Sequence, residues 1–125
     1  MPSRERVRDF IATVENGAFV QAIESFYHPD ASMQENSAPP RVGRDILVAH
    51  EKALLARFPN TRALPAKAVL IDGDRVVINW VFEMADATGV VLRLDELALQ
   101  EWAGERIARE RFFYDPAQMR PARQA

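Results

Sequence analysis

Apolar positions recur with helical spacing through the first half of the chain. Val7, Phe10, Ile11 and Val14 stand at i, i+3, i+4 and i+7, the stripe of an amphipathic helix over residues 3–15 that Asn16 and Gly17 end. Phe19, Ile23, Phe26 and Tyr27 form a second stripe. Pro29 predicts its stop at His28, because the residue before a proline is disfavoured in helical geometry. A third helix is predicted after Pro39, Pro40 and Gly43, with Ile46, Leu47, Leu54 and Phe58 on one side and Pro59 at its end. Between the second and third helices, residues 31–36 read as a short strand followed by a proline-rich loop.

After Asn60 the period shortens to two, with β-branched and aromatic residues alternating with polar ones. Turn signals at Asp72-Gly73-Asp74, at residues 85–89 and at Ala103-Gly104 divide this half into predicted strands over 62–71, 75–84, 90–102 and 105–114. Three successive hairpins predict an antiparallel meander. Helices first and strands second is the order of an α+β domain, in which three helices cover the apolar side of a curved sheet.

A length of 125 residues fits a single domain, 1–125, with a packed core over about 3–116 and a loose tail at 117–125. Sixteen basic against eighteen acidic residues give a net charge of -2, which lacks the excess needed to neutralise a nucleic-acid backbone, so no nucleic-acid partner is expected. With no cysteine and two histidines, disulfides, thiolate metal sites, cysteine nucleophiles and histidine-rich metal cages are excluded. Chemistry must come from carboxylates, amides, aromatic rings or arginine, and neither a metal nor a cofactor is expected. The amino end carries Arg4, Glu5, Arg6, Arg8 and Asp9 instead of an apolar signal core. Nowhere do about 18 apolar residues follow one another, so the expectation is a cytoplasmic protein with no membrane partner.

The order helix, helix, short strand, helix and four-stranded meander brings in a family. With Phe26-Tyr27-His28-Pro29-Asp30-Ala31 ending the second helix and Arg109-Glu110-Arg111-Phe112-Phe113-Tyr114-Asp115-Pro116 ending the meander, the chain resembles the nuclear transport factor 2-like superfamily, nearest its SnoaL-like members, over residues 3–116. The resemblance implies a cone-shaped cystatin-like α+β roll: three N-terminal helices on a strongly curved, mainly antiparallel sheet, a pocket at the open end, and frequent dimers. Functions within the superfamily include isomerases, cyclases, dehydratases, epoxide hydrolases and non-catalytic binders, so the fold alone does not choose among them.

Alternation along the strands then sorts side chains by face. Ile78, Trp80, Phe82 and Met84 share an apolar face that is expected to look into the pocket. On the next strand Arg93, Asp95, Leu97 and Leu99 share one face against Leu94, Glu96, Ala98, Gln100 and Trp102. On the last, Ala108, Glu110, Phe112 and Tyr114 oppose Ile107, Arg109, Arg111 and Phe113.

Three residues are candidates for acid or base chemistry. Glu35, in Asp30-Ala31-Ser32-Met33-Gln34-Glu35, resembles the carboxylate base of ketosteroid isomerases, and a carboxylate in an apolar cleft is suited to abstract a proton beside a carbonyl. Its alternative is a solvated acid at a loop edge. Asp95 matches the position at which those isomerases keep a protonated aspartate, and Arg93-Leu94-Asp95 resembles the Arg-x-Asp pair of limonene epoxide hydrolases. The alternative is a structural or outward-facing pair, and one bulge in that strand exchanges Asp95 for Glu96. His50 shares a helix side with Leu47 and Leu54 and titrates near neutrality, although a histidine so placed is more often a core residue.

Tyr27, Arg93, Trp80, Phe82, Phe112 and Tyr114 complete the expected substrate-binding wall. His28 reads as a charge at a helix C-terminus, and Glu110 with Arg111 as a strand-face ion pair. Two departures weigh against the resembled enzymes. The isomerase tyrosine falls near Phe10, which has no hydroxyl, and the second aspartate of the hydrolase falls at about Phe112. The reading is therefore a small-molecule binder with an apolar pocket and ligand, or alternatively a cofactor-independent isomerase, cyclase or lyase that moves protons on a small carbonyl compound. A homodimer through the outer sheet face is expected from Val81, Ala98 and Trp102, read as outward apolar residues.

Overall fold

Ser3 starts the first helix, α1 (Arg4–Glu15), its hydroxyl accepting the Arg6 N–H at 3.0 Å and so satisfying one of the free donors of the first turn. The structure is a computed structural model that describes residues 1–120. Val7, Phe10 and Val14 form the buried stripe of α1, and α2 (Phe19–Phe26) buries Phe19, Ala22, Ile23 and Phe26. The second helix stops two residues before its predicted end. Tyr27 already has extended geometry, φ -105° and ψ 145°, because it opens β1 (Tyr27–Glu35). His28 therefore lies on a strand, where a ring nitrogen lies 2.9 Å from the Ala103 carbonyl, and is no helix-terminal charge.

The chain continues through β2 (Arg41–Val42), α3 (Arg44–Arg57), β3 (Asn60–Ala63), β4 (Ala68–Asp72), β5 (Arg75–Ala85), β6 (Val91–Ala103) and β7 (Arg106–Phe113). The single strand predicted over 62–71 is two strands. Both β3 and β4 pair antiparallel with β5, and the four residues between them, with Pro65 among them, still donate from Leu64 and Lys67 to β5. Proline cannot donate to a ladder, which accounts for the interruption. In α3, Leu47 is buried, but Ile46 is 56% exposed and does not share its side.

The sheet order is β2-β1-β7-β6-β5-β3, with β4 also on β5. Every pairing is antiparallel except β1 on β7. This is the expected α+β architecture, a curled, unclosed sheet with the helices on its inner side. The core joins Val7, Phe10, Ile23, Phe26 and Leu47 from the helices to Val76, Ile78, Trp80, Trp102 and Ile107 from the strands. Phe10 meets Phe26, Tyr27 and Trp102 edge-on, with centroids 5.4 to 6.2 Å apart.

Two irregularities position the site. On β6 the buried residues are Leu92, Leu94, Glu96, Ala98, Gln100 and Trp102, while Val91, Arg93, Asp95 and Leu97 are exposed. The register of β6 on β7 slips between Glu101 and Trp102, pairing Trp102 with Ile107 but Glu101 with Arg109. Ala108 is the extra residue of a bulge, so Ile107 and Glu110 both point inward although alternation alone separates them. The outward apolar set expected from Val81, Ala98 and Trp102 does not exist: all three are buried, Ala98 and Trp102 in the main core.

Beyond the end of β7 the free edge of β6 is closed by a side chain. Residues Pro116–Met119 form a short 3-10 turn, and Gln118 accepts the Asp95 N–H at 2.7 Å and donates to the Asp95 carbonyl at 3.1 Å. Residues up to 120 of the expected loose tail are thus ordered against the sheet, and the rest of that tail lies outside the described residues. No helix among the described residues is long and apolar enough to cross a membrane.

Candidate functional site

The helices do not fill the cone. A cavity of about 130 Å³ remains between them and the inner sheet face, walled chiefly by apolar and aromatic side chains, among them Phe10, Phe19, Trp80, Phe82 and Phe112. Its polar groups are Glu35, Arg41, His50, Glu51, Tyr27, Thr61, Glu96 and Glu110. Four are glutamates, and only Glu35 has an ion-pair partner among the described residues. Arg41 Nη2 lies 3.4 Å from Glu35 Oε2, with the two side chains 34% and 37% exposed where the cavity meets solvent.

Glu96 sits in the middle of the wall. It pairs across the sheet with Trp80, so the carboxyl and the indole stand side by side on the inner face. The residue is only 6% exposed, and its carboxyl has no hydrogen bond or ion pair among the described residues. Burial pushes its pKa well above the usual carboxylate range, and the negative charges of Glu110, Glu35 and Glu51 push it the same way.

Glu110 is held differently. The Tyr27 hydroxyl donates to one of its oxygens, Gln100 Nε2 donates to the other at 2.6 Å, and Trp102 Nε1 donates to Gln100 Oε1 at 3.0 Å. Burial raises Glu110 to about 7, against the opposing pull of the Gln100 and Tyr27 hydrogen bonds. Tyr27 is itself pushed well above its ordinary value by burial and by Glu110. Adjacent strand residues face opposite sides, so no Glu110–Arg111 ion pair forms. Arg111 instead donates to the Asn36 carbonyl at 2.8 Å.

Helix α3 contributes His50 and Glu51. Burial lowers the His50 pKa, with Arg41 acting in the same direction, so the imidazole is neutral at pH 7. Burial raises Glu51, and Glu35 adds to that shift.

Of the residues singled out in the sequence, Glu35, His50, Tyr27, Trp80, Phe82 and Phe112 line this cavity. Asp95 and Arg93 do not. Asp95 is on the outer face, accepting from Asn79 at 2.8 Å and lying 3.3 Å from Lys67 Nζ, and these contacts hold its pKa below the usual value. Arg93 reaches toward Glu83 at 3.9 Å. The cause is parity: burying Leu94, Ala98 and Trp102 turns Glu96 inward and both neighbours out. Tyr114 packs with Phe58, Met84, Leu92 and Leu94, and burial raises its hydroxyl to about 12.

Sequence reasoning missed Glu51 and the inward role of Glu110. Glu51 carried no signal, because it adjoins His50 on a weakly amphipathic helix. Glu110 stood on the same expected face as Phe112, and that grouping was the available clue. Among the described residues no three histidine or carboxylate side chains converge as a metal-binding group.

Similar structures have the same architecture. A SnoaL-like protein of Jannaschia sp. CCS1 with a polyketide-cyclase assignment superposes with a TM-score of 0.79 at 15% identity, covering 95% of this chain and 92% of the other. A protein of unknown function with a cystatin-like fold from Xanthomonas campestris gives 0.80 at 18% identity, covering 95% of each. A protein with a ketosteroid isomerase-like fold from Catenulispora acidiphila DSM 44928, solved in complex with trimethylamine, gives 0.75 at 17% identity, covering 90% of this chain and 87% of the other. No curated protein matches the chain in sequence. Residues 7–110 match the model of the SnoaL-like domain, and the chain belongs to that family.

Proposed function

We propose that this SnoaL-like protein binds a small, largely apolar molecule in its cone. The observation that carries the reading is a cavity of about 130 Å³ walled by aromatic rings, with one buried carboxyl, Glu96, left free to meet a guest. An engineered apolar cavity of ~150 Å³ takes up benzene, so a compound with a single ring is the expected scale. The Catenulispora protein of similar fold was solved in complex with a small molecule, trimethylamine, which supports the reading that this chain binds a small guest.

Acetophenone is a suitable probe, with one ring and one carbonyl. Saturable shifts of the Trp80 indole resonance on titration, larger than those of Trp102, which stands behind the cavity wall, are the expected result. No saturable shift up to millimolar acetophenone, together with no small molecule co-purifying in native mass spectrometry, would overturn it.

A second reading, proton transfer to the bound guest, is favoured by Glu110, whose carboxyl stands at about 7 and lines the same cavity. A group titrating near the working pH is suited to act as acid and base in turn. Under this reading the protein accelerates deuterium uptake at the acetophenone methyl group over buffer alone, and Glu110→Gln abolishes the acceleration. A rate equal to that of buffer leaves binding as the function.

For assembly, the outer face offers Leu97 and Phe113, register partners that are 46% and 39% exposed. Burial of this pair against a second copy supports a homodimer. Sedimentation that shows a monomer for Leu97→Glu and a dimer for the parent checks it, and a monomeric parent at micromolar concentration counts against it.

A further inference from the structure

The charge balance inside the cone is uneven. Glu51, Glu96 and Glu110 line one cavity with no cationic side chain paired to any of them among the described residues. The two basic groups nearby do not offset them. Arg41 is engaged with Glu35 at the mouth, and His50 is neutral at pH 7. Burying carboxyls without counter-charge is costly, and here Glu96 and Glu110 are both buried in one small wall with Glu51 half-buried beside them.

The aromatic residues stand beside the unpaired acids. Trp80 is the cross-strand partner of Glu96, Ala98 and Phe112 pair on the next inner row, and Gln100 and Glu110 on the row after that. Phe112 lines the cavity, whereas Ala98 is packed in the core behind it. A guest in the cavity meets the Trp80 indole and the free Glu96 carboxyl together, side by side on one wall. That pairing favours a cation, because the face of an indole attracts positive charge and a desolvated carboxyl gains a partner.

We infer that the guest is an organic cation: a primary or substituted ammonium that meets Glu96, with Glu51 nearby, and carries a single apolar ring or chain against Trp80 and Phe82. The inference rests on the ligand-binding reading above and adds the chemical class. The four glutamates are spread around the wall and do not converge as metal ligands, and the remaining lining is apolar, which fits an ammonium on a hydrocarbon body better than a bare ion. Entry of the cation draws the Glu96 carboxyl into its ionised form, so a proton leaves as the guest arrives.

Calorimetric titration with benzylammonium and with benzyl alcohol, which differ by a charge at nearly equal size, tests this on the whole protein at pH 7. Benzylammonium is expected to bind at least tenfold more tightly than the alcohol and to release protons, read as a dependence of the heat on the ionisation enthalpy of the buffer. Glu96→Gln is expected to bring the two affinities within threefold of each other, and Glu51→Gln to narrow the gap less. The comparison of the two ligands on the parent protein stands even if neither variant folds. Equal or tighter binding of the alcohol overturns the cation and leaves the pocket reading in place, as does binding of acetophenone with none of benzylammonium. Silence from all three compounds overturns both.

Discussion

Gln100 donates to Glu110 at 2.6 Å, and the other oxygen of that carboxyl accepts the Tyr27 hydroxyl. Three residues from β6, β7 and β1 thus meet at one buried acid, and Trp102 fixes the Gln100 amide by donating to its oxygen at 3.0 Å. With both ends of the amide committed, Gln100 presents only N–H to Glu110.

Glu110→Gln tests that arrangement. The new amide has one acceptor oxygen where the carboxyl had two, so with that oxygen on the Gln100 N–H its NH2 faces the Tyr27 hydroxyl, which must turn from donor to acceptor, and at pH 5 the variant is expected to be less stable by about 1–3 kcal/mol. The parent behaves differently as pH rises. Its Glu110 pKa is raised from 4.5 to about 7 on folding. The folded state therefore binds the proton more tightly, and this stability is fully present below pH 4.5 and lost as pH passes 7. Between pH 5 and pH 8 the parent should lose about 2–3 kcal/mol from this group, whereas the variant should not. Urea unfolding at the two pH values checks the convergence, and a constant difference would refute it.

Glu96→Leu removes a buried carboxyl that has no partner. At pH 8 the variant is expected to gain about 1–3 kcal/mol, since burying an uncompensated polar group is unfavourable. The sign of the pH effect follows from the raised pKa: the advantage shrinks as pH falls and the parent carboxyl takes up its proton. A stabilised variant that no longer discriminates benzylammonium from benzyl alcohol is the pattern of a residue kept for binding at a cost in stability. Thermal unfolding at both pH values gives the answer.

Asp95→Asn addresses the opposite face. Asp95 is half exposed and bonds Asn79 and Lys67 outside the cone. The substitution is expected to change stability by no more than about 0.5 kcal/mol and to leave acetophenone binding as in the parent. Loss of binding without loss of folding would place Asp95 in the site after all.

Gly43→Ala probes how α3 brings His50 and Glu51 to the cavity. Gly43 has φ 104°, which side-chain-bearing residues rarely adopt, and its N–H donates to the Ala31 carbonyl at 2.8 Å just before the helix begins. A Cβ there meets no atom within 4 Å, so the cost is one of backbone conformation alone, about 1–3 kcal/mol. Unfolding midpoints measure it, and a gain in stability would show that the loop relaxes freely.

The amino-acid sequence alone determined the class of fold. Val7, Phe10 and Val14 in α1, and Ile78, Trp80 and Met84 in β5, follow periods of about 3.6 and 2 that only helix and strand satisfy, and the glycine turns mark where strands reverse. The aromatic half of the cavity was legible for the same reason, because β5 carries its apolar residues on one face.

Of the acidic half only Glu35 was legible in the sequence. Strand β6 carries acids at two adjacent positions, Asp95 and Glu96, and its other residues mix apolar and polar side chains on both faces, with Arg93 and Glu101 on one and Gln100 on the other, so alternation alone does not choose the orientation. Only the packing of Trp102 against Phe10 and the pairing of Gln100 with Glu110 select the one that buries Glu96. The bulge at Ala108 likewise depends on two strands fitting together, as does the meeting of Tyr27 with Glu110, 83 residues away. Local periodicity reports which side of one element is apolar. Which acids share a cavity depends on contacts between elements far apart in sequence, and the tertiary structure decided it.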